Sequence, residues 1–249
     1  MWRLIINEGT AEENMALDET LLNLKDKGKI SNTLRLYAFV PSAVTIGYSQ
    51  KINEVVDIKY TEERNIPIVR RITGGGAVYH DQNGEITYSI ISDTDDMPNN
   101  IQETFEKVCQ GIVYALKEFK LEARFEPVND VVANGKKISG SAQIRKKKAL
   151  LQHGTIMYNT DIVTLGRLFK VPREKLTRHG AETIFDRVTT ISRELNRTVT
   201  KKEVIESLIK GFSKALHTKF QQCEISNEEN NIVQQVLMKY KGREWNYQH

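Results

Sequence analysis

Cysteine is scarce in this chain of 249 residues: Cys109 and Cys223 lie far apart and in no metal-binding spacing. A disulfide framework is therefore not expected, and a reducing compartment is predicted. Long apolar runs are also missing, since none approaches the ~20 residues that cross a membrane. The N-terminus MWRLIINEGT has neither the apolar segment nor the cleavage site of a signal peptide. These absences predict a cytoplasmic protein without membrane attachment.

Two familiar phosphate-binding signatures are absent as well. The chain has no GxxxxGK[ST] loop and no G-x-G-x-x-G run leading into a helix. The net charge of +4 favours an anionic substrate or an acidic partner without requiring nucleic acid, and no DNA- or RNA-binding motif is visible. With 39% hydrophobic and 27% charged residues, the composition is typical of a globular protein large enough to bury a core.

What the chain does have is a glycine triplet in the stretch RRITGGGAVYHD, Arg70–Asp81. Consecutive glycines weaken regular structure, and such a run usually marks a ligand or another backbone that comes too close for a Cβ. The apolar runs Ile66–Val69 and Ala77–Val78 predict a strand on either side. Exposed amide N–H groups and the guanidinium groups of Arg70 and Arg71 indicate a phosphate or carboxylate site. The alternative is a glycine hairpin beside surface charge.

A second group of small residues surrounds Lys137 in the stretch GKKISGSAQ. Asn134 and Gly135 before it predict a two-residue turn between short strands, and the small residues are consistent with a strand whose backbone runs close to a ligand. The strand Ala149–Met157 then returns. The basic run Arg145–Lys148 is predicted at the hairpin tip between them, where such runs are usually only solvated.

Periodicity predicts an alternation of strands and helices elsewhere. The further predicted strands are Trp2–Ile6, Thr33–Phe39, Ala43–Tyr48, Glu85–Ile91 and Lys219–Ile225. The first predicted helix begins at a Thr10/Glu13 capping box and ends near Gly28. The further predicted helices are Val55–Arg64, Ile101–Phe119, Ile162–Phe169, Thr190–Asn196, Thr200–His217 and Asn227–Lys241. Asn83-Gly84 predicts a hairpin turn, and Cys109 lies on an apolar helix face as a small core residue. Because no linker or repeat is visible, residues 1–249 are predicted to form one domain.

Four stretches of the chain, taken together, resemble those of a known family. RRITGGGAVYHD, Asn129-Asp130, GKKISGSAQ and LLQHGTIM resemble lipoate–protein ligase A, and the C-terminal KYKGREWNY is similar to the end of its large domain. The resemblance implies an α+β fold, a mixed β-sheet core flanked by helices, as in biotin/lipoate protein ligases and class II aminoacyl-tRNA synthetases. It also implies that lipoate attacks the α-phosphate of ATP with release of pyrophosphate. The lysine amine of an acceptor domain then attacks lipoyl-AMP.

The resemblance also implies the site residues. Lys137 is the implied catalytic residue, whose ammonium contacts the lipoate carboxyl and the α-phosphate and stabilises the charge that develops there. For ATP and lipoyl-AMP it implies Arg70, Arg71, Gly74, Gly75, Gly76, Ala77, Val78, Tyr79, His80, Asn129, Asp130 and Lys137. For the lipoate pocket it implies Gly75, Ala77, Lys137, Gly140, Ala142, His153 and Gly154, with Val44 and Ile46 as further apolar candidates. Mg²⁺ would neutralise pyrophosphate, with Asp130 as a candidate ligand.

His80 and His153 have two interpretations, as bases or as hydrogen-bonded structural histidines beside the site. The implied partner is a lipoyl acceptor domain, such as an E2 subunit or a glycine-cleavage H protein, and the run Arg145–Lys148 is a hypothesis for steering an acidic one. Many family members continue into an accessory domain where this chain stops, at His249. The chain is therefore predicted to be the larger piece of a two-protein ligase like the archaeal ones, with a separate accessory subunit for adenylation.

Two alternatives stay open beside the ATP-dependent ligase. The first is a lipoyl or octanoyl transferase of the same fold that works through an acyl-cysteine. The segment EPVND before the Lys137 motif disfavours it, because it contains no cysteine. The second is a non-catalytic module that binds lipoate or a nucleotide for another protein.

Overall fold

The computed structural model of the chain describes residues 1–170 and 184–248. Its strands are β1 (Trp2–Gly9), β2 (Thr33–Phe39), β3 (Ala43–Ile46), β4 (Ile68–Arg70), β5 (Val78–His80), β6 (Glu85–Asp93), β7 (Ala123–Glu126), β8 (Asp130–Ala133), β9 (Lys136–Arg145), β10 (Ala149–Met157) and β11 (Phe220–Gln222). Its helices are α1 (Ala11–Asp26), α2 (Ile52–Val55), α3 (Ile58–Glu63), α4 (Ile101–Glu118), α5 (Ile162–Leu168), α6 (Ile184–Arg187), α7 (Ile191–Leu195), α8 (Lys201–Ala215), α9 (Asn227–Lys241) and α10 (Arg243–Asn246).

The larger sheet has, within the described residues, eight strands in the order β11-β1-β2-β6-β10-β9-β8-β7. Pairing is parallel from β11 to β2 and antiparallel from β2 onward. One face buries apolar side chains of α4 and α8, such as Ile112 and Phe212. The other face packs against α1 and α9, through residues such as Leu21 and Leu237. Side chains alternate between these two faces along each strand.

A smaller sheet of order β4-β3-β5 lies on the α1 side of the larger one. In it β3 pairs in parallel with β4 and antiparallel with β5. Its outer face packs against α2, α3 and α5 in a cluster that includes Val44, Ile46, Tyr79 and Leu168. Its inner face carries Thr45 and His80, which are both buried. The two sheets therefore enclose a layer of polar side chains.

These elements confirm the predicted α+β fold and most predicted elements. The capping box of α1 joins Thr10 to Glu13 as expected. The residues Asn134 and Gly135 have φ of 49° and 75° and connect β8 to β9 as the predicted hairpin turn. None of the helices in the described part of the chain is both long and apolar enough to cross a membrane.

Three local predictions need correction. The Asn83-Gly84 hairpin is wrong, because β5 before it pairs with β3, whereas β6 after it pairs with β2 and β10 in the other sheet. The glycine hairpin is also wrong, because β4 and β5 lie on opposite sides of β3. The predicted helix Val55–Arg64 is shorter in the structure, where α3 covers Ile58–Glu63 and Val55 ends the separate helix α2. The two helices are separate because Val56 takes extended geometry and forms a β-bridge with Phe169.

Candidate functional site

The glycine loop, residues Gly74–Ala77, runs from β4 to β5 across the end of β3. The backbones approach so closely that a Cβ on Gly47 would lie 2.1 Å from the carbonyl oxygen of Gly75. The φ of Gly75 is +93°, which lies in the region that favours glycine. The three glycines are exposed, and within the described structure the amides of the loop donate to no protein acceptor. The loop thus presents a row of N–H donors suited to an anion.

Arg71 binds the buried side of this loop. Its Nη2 donates to the carbonyl oxygens of Gly74, at 2.7 Å, and Gly76, at 2.8 Å. Its Nε donates to Thr73 Oγ1 at 2.9 Å, and its Nη1 lies 3.3 Å from Thr45 Oγ1. The side chain is buried, and burial lowers the pKa of the guanidinium to about 10. Because two loop carbonyls turn inward to Arg71, the intervening amides face outward.

Arg70 is fully buried and anchors the C-terminal segment to the same region. Its Nη1 donates to the carbonyl oxygens of Gly47, Tyr48 and Gln50. Its Nε and Nη2 donate to the carbonyl oxygens of Trp245 and Asn246 in α10. Direct phosphate binding by Arg70 and Arg71 stays a prediction, since the described contacts of both side chains are to the protein.

Lys137 meets Asp130 on the neighbouring strand. Its Nζ lies 2.7 Å from Asp130 Oδ1, and the lysine side chain is 35% exposed. A Cβ on Gly140 would lie 2.6 Å from that Nζ, which places the ammonium directly over the backbone of β9. Ala142, two residues along the same face, lies 3.9 Å from the Cβ position of Gly75. The two sequence motifs therefore meet at one place.

Asn129 fixes the start of β8 beside this pair. Its side chain donates to the carbonyl oxygen of Ser141, and its own carbonyl oxygen accepts from the Ser141 amide. This double contact holds Asp130 opposite Gly140 in the β8–β9 register. Asn129 thus has a clear structural role, while nucleotide contact by Asn129 stays a prediction.

His80 and His153 each have protein partners on both ring nitrogens. His153 Nδ1 lies 3.0 Å from Asp18 Oδ2, and its Nε2 lies 2.7 Å from Thr73 Oγ1. His80 Nδ1 lies 2.8 Å from a carboxylate oxygen of Glu85, and its Nε2 lies 3.0 Å from Thr45 Oγ1. These contacts favour the structural-histidine interpretation over that of a free base.

Asp18 is a functional candidate that the sequence reasoning missed. It is 1% exposed in α1 and accepts from Arg35, Tyr37 and Ser89 in addition to its contact with His153. Burial by itself would raise the pKa of Asp18, but Arg35 and His153 outweigh burial and hold the pKa below its ordinary value. The available signal was a carboxylate among the apolar positions of an amphipathic helix, where a charge needs a partner.

We expect acid to destabilise this network. Burial holds the pKa of His153 below the ordinary 6.5 despite its bond to Asp18. The unfolded chain therefore binds more protons below about pH 6.5, and the free energy of unfolding falls as pH falls; Asp18 adds the same effect below about pH 3.8. Urea unfolding between about pH 5 and pH 7.5 should show this decline in the wild type. In His153→Gln the decline should be shallower, and equal slopes would contradict the assignment.

The remaining predicted pocket residues divide between two faces. Ala77 and Tyr79 pack with Val44 and Ile46 in the cluster beneath α2, α3 and α5, on the outer face of the smaller sheet. Val78 is half-buried beside them in β5. A Cβ on Gly154 would meet Ser141 Oγ at 2.7 Å and the Tyr88 ring at 2.8 Å, so the missing side chain makes room on the α4 face. Ligand contact by these residues stays a prediction.

Mg²⁺ has no all-protein site in the described structure. Among residues 1–170 and 184–248, no group of three His, Cys, Asp or Glu side chains is placed to hold a metal ion. The nearest partner of Asp130 is the Lys137 ammonium, which competes electrostatically with a divalent cation for that carboxylate. The donor set therefore does not fit a resident metal, and metal binding by Asp130 stays a prediction.

The two cysteines lie away from the glycine loop. Cys109 is fully buried in α4, where its Sγ lies 3.5 Å from Ser141 Oγ. Ser141 alternates with Gly140 and Ala142 along β9, so Cys109 lies across the sheet from Lys137. Burial raises the pKa of the Cys109 thiol to about 12. Cys223, next to β11, accepts a hydrogen bond from Arg3 Nε at 3.4 Å.

Known proteins are similar to this chain over nearly its whole length. Octanoyltransferase LipM of Anoxybacillus flavithermus is 32% identical over 274 residues, covering 99% of this chain and 98% of LipM. A bi-partite lipoate protein ligase of Thermoplasma acidophilum, described with its E2 lipoyl domain, is 31% identical with a TM-score of 0.86, covering 98% of this chain and 95% of that chain. A lipoate-protein ligase A bound with ATP is 32% identical with a TM-score of 0.85, covering 99% and 97%.

The family model of the lipoyl protein ligase A/B catalytic domain matches residues 10–213. This match includes the glycine loop, the Lys137–Asp130 pair and the network of Asp18, and it confirms the resemblance predicted from the motifs. The chain belongs to the lipoyl protein ligase A/B catalytic domain family, whose members include enzymes that ligate or transfer lipoyl-type acyl groups.

Proposed function

We propose that this chain acts as a single catalytic domain that transfers an octanoyl or lipoyl group from an activated donor to a lysine amine of a lipoyl domain. The observation that carries the proposal is the partly exposed Lys137 side chain on the strand that meets the glycine loop and its outward amides. Together they offer positive charge and N–H donors to an activated acyl group and its anionic leaving group. The E2 lipoyl domain described with the Thermoplasma ligase suggests the class of acceptor.

The chemistry of such a transfer assigns a task to Lys137. The acceptor amine, once it has lost its proton, attacks the acyl carbon, and negative charge develops on the acyl oxygen. A fixed ammonium at that oxygen stabilises this charge. Collapse of the intermediate breaks the bond between the acyl carbon and the leaving group, AMP from acyl-AMP or a thiolate from a thioester, and the attacking nitrogen loses a second proton to become the amide.

The identity of the donor separates two candidates. The sequence motifs predict ATP-dependent formation of lipoyl-AMP, whereas full-length similarity to octanoyltransferase LipM supports octanoyl transfer better than ATP-dependent ligation. The position of Cys109 supports transfer without an acyl-cysteine intermediate, because this thiol lies across the sheet from Lys137. Octanoyl transfer directly from donor to acceptor lysine therefore agrees with both observations.

A donor panel tests the proposal. The chain is incubated with a lipoyl domain and, separately, with octanoyl thioester, octanoyl-AMP, lipoyl-AMP, or ATP, Mg²⁺ and the free acids, and acceptor mass is measured. A mass gain from a preformed donor supports transfer. A gain from acyl-AMP but not from ATP and free acid supports the predicted need for a separate accessory subunit. No gain from any donor overturns the proposal and favours the binding-module alternative.

Replacing both cysteines is expected to leave transfer nearly unchanged. Cys109→Ser/Cys223→Ser removes both thiols of the chain, and the hydroxyl introduced by Cys109→Ser would retain Ser141 as a neighbour. We expect a rate within about threefold of wild type, since surface and isosteric changes away from the reacting atoms cost little. Transfer rate and intact protein mass with octanoyl thioester are the measurements. An octanoyl adduct on the wild type, combined with an inactive but folded double variant, would establish an acyl-cysteine route instead.

A further inference from the structure

Arg71 is a buried cation that contacts no carboxylate among the described residues. Its partners are two glycine carbonyl oxygens and the oxygen atoms of Thr45 and Thr73. An isolated buried charge is costly unless hydrogen bonds and a counter-charge offset it. The neutral contacts satisfy the donors of Arg71, so the counter-charge must lie one layer further out.

Two chains of hydrogen bonds connect Arg71 to such charges. The first runs from Thr73 Oγ1 to His153 Nε2, at 2.7 Å, and from His153 Nδ1 to Asp18, at 3.0 Å. The second runs from Thr45 Oγ1 to His80 Nε2, at 3.0 Å, and from His80 Nδ1 to Glu85, at 2.8 Å. All the residues of both chains are buried. Two carboxylate–histidine–threonine relays thus converge on one guanidinium.

The donor rules give each relay a direction. A carboxylate only accepts, so each histidine carries its proton on Nδ1 and leaves Nε2 as an acceptor. Each threonine hydroxyl then donates to Nε2, and its oxygen lone pairs remain for the N–H groups of Arg71. A guanidinium only donates, so no other arrangement satisfies both ends of the relay with neutral rings.

Charge is balanced in the same arrangement. Asp18 is paired with Arg35 at 2.8 Å, whereas the contacts of Glu85 are His80 and the Thr87 hydroxyl. The Glu85 carboxylate is therefore the counter-charge available to Arg71, and it acts through the second relay. The first relay adds orientation, because Asp18 is itself fixed by Arg35, Tyr37 and Ser89.

We propose that Arg71 is a positioning residue, set by the relays Asp18–His153–Thr73 and Glu85–His80–Thr45, which turns the glycine-loop carbonyls inward and so aims the loop amides at the acyl donor. This inference rests on the proposed transfer function. Arg71 acts through the carbonyl oxygens of Gly74 and Gly76 and does not itself touch the donor. Asp18 and Glu85 are the outermost positioning residues of the relays.

Threonine variants, made in the wild type and in Arg71→Lys, test whether the two relays act through Arg71. Thr45→Val and Thr73→Val keep side-chain shape and remove one acceptor of Arg71 each. In the wild-type background each should raise the KM for the acyl donor about tenfold, since misplaced site groups cost up to ~100-fold, and leave the KM for the acceptor domain unchanged. Thr73→Ser, which keeps the hydroxyl, should restore the donor KM. A general loss of folded enzyme would lower kcat without changing the donor KM.

The same substitutions in an Arg71→Lys background decide whether Arg71 is the point of convergence. Lysine lacks the fork that contacts both threonines and both carbonyls, so each Thr→Val change should then cost less than about twofold. Equal fold-changes in both backgrounds would overturn the proposal. Thr20→Val is the matched control, because the Thr20 hydroxyl is buried in α1 without a hydrogen-bond partner among the described residues; its donor KM should equal that of the wild type.

A spectroscopic test does not depend on activity. Nitrogen-15 NMR of the full chain should show His80 and His153 protonated on Nδ1, and the Arg71 Nε–H resonance should shift in Thr73→Val but not in Thr20→Val. Protonation on Nε2 of either histidine would overturn the relay. If no donor supports transfer but the NMR result is as expected, the proposed function fails while the positioning role of Arg71 stands.

Discussion

Lys137→Ala is expected to lower the rate of acyl transfer by about 10² to 10³, the usual loss when one donor to a developing negative charge is removed. The ammonium lies over Gly140 and beside Asp130, where it can meet an acyl oxygen. Alanine leaves no cation at that point. The fold should be retained, because the side chain is 35% exposed and alanine keeps the backbone pairing of β9. Single-turnover transfer from a preformed donor, with the melting temperature in parallel, measures both effects.

Lys136→Ala is the matched control for this loss of charge. Lys136 precedes Lys137 in β9 and is partly exposed, so its removal changes the net charge of the chain by the same amount. Side chains of successive strand residues point to opposite faces, and we expect the Lys136 variant to transfer within about twofold of wild type. A Lys137→Ala enzyme with near-normal activity would remove Lys137 from the catalytic role. Equal losses in both variants would indicate a general effect of surface charge.

The glycine loop marks where the prediction from sequence succeeds and where it stops. The triplet and the apolar runs beside it predict a loop between two strands, and the structure has that loop between β4 and β5; anion binding by its amides stays a prediction. The route across β3 was not predictable from those residues, because β4 and β5 pair with β3 in opposite orientations. Local pattern identifies strands, whereas their neighbours depend on packing of the whole chain.

Arg70 and Arg71 illustrate the same limit for side-chain chemistry. Two arginines beside a glycine triplet predict an anion site, yet the guanidinium of Arg70 meets the carbonyl oxygen of Trp245, 175 residues away in sequence. A guanidinium can donate to backbone carbonyls as well as to phosphates, and the fold decides which acceptors are in reach. The motif therefore predicts an anion site here and leaves the tasks of its two arginines undetermined.

The sequence indicates that Asp18 needs a charged or hydrogen-bonding partner, but it does not identify that partner. A carboxylate among the apolar positions of α1 needs a partner if the helix face is buried. Its partners Arg35, Ser89 and His153 come from β2, β6 and β10, three strands whose order follows from the whole sheet. Motif reasoning selected His153 for a pocket, and the structure connects it to the carboxylate that fixes its tautomer.

Gly47→Ala and Gly76→Ala are expected to impair donor binding for two different reasons. A Cβ on Gly47 would lie 2.1 Å from the Gly75 carbonyl oxygen, so the loop or the end of β3 must move. Overpacking of this kind typically costs 1–3 kcal/mol. A Cβ on Gly76 would meet no atom of residues 1–170 and 184–248 within 4 Å, and the φ of Gly76 lies outside the left-handed region. The Gly76 variant should therefore keep the wild-type melting temperature to within about 2 °C.

The pair separates the two explanations for a glycine run, close backbone packing and close approach of a ligand. If the donor binds against the outward amides, the methyl group of Gly76→Ala occupies its space, and the donor KM should rise at least about tenfold with no loss of stability. Gly47→Ala should lower the melting temperature and raise the donor KM together. Melting curves and donor titrations on both variants are the measurements. Wild-type donor affinity in Gly76→Ala would place the ligand elsewhere and leave the triplet with a packing role alone.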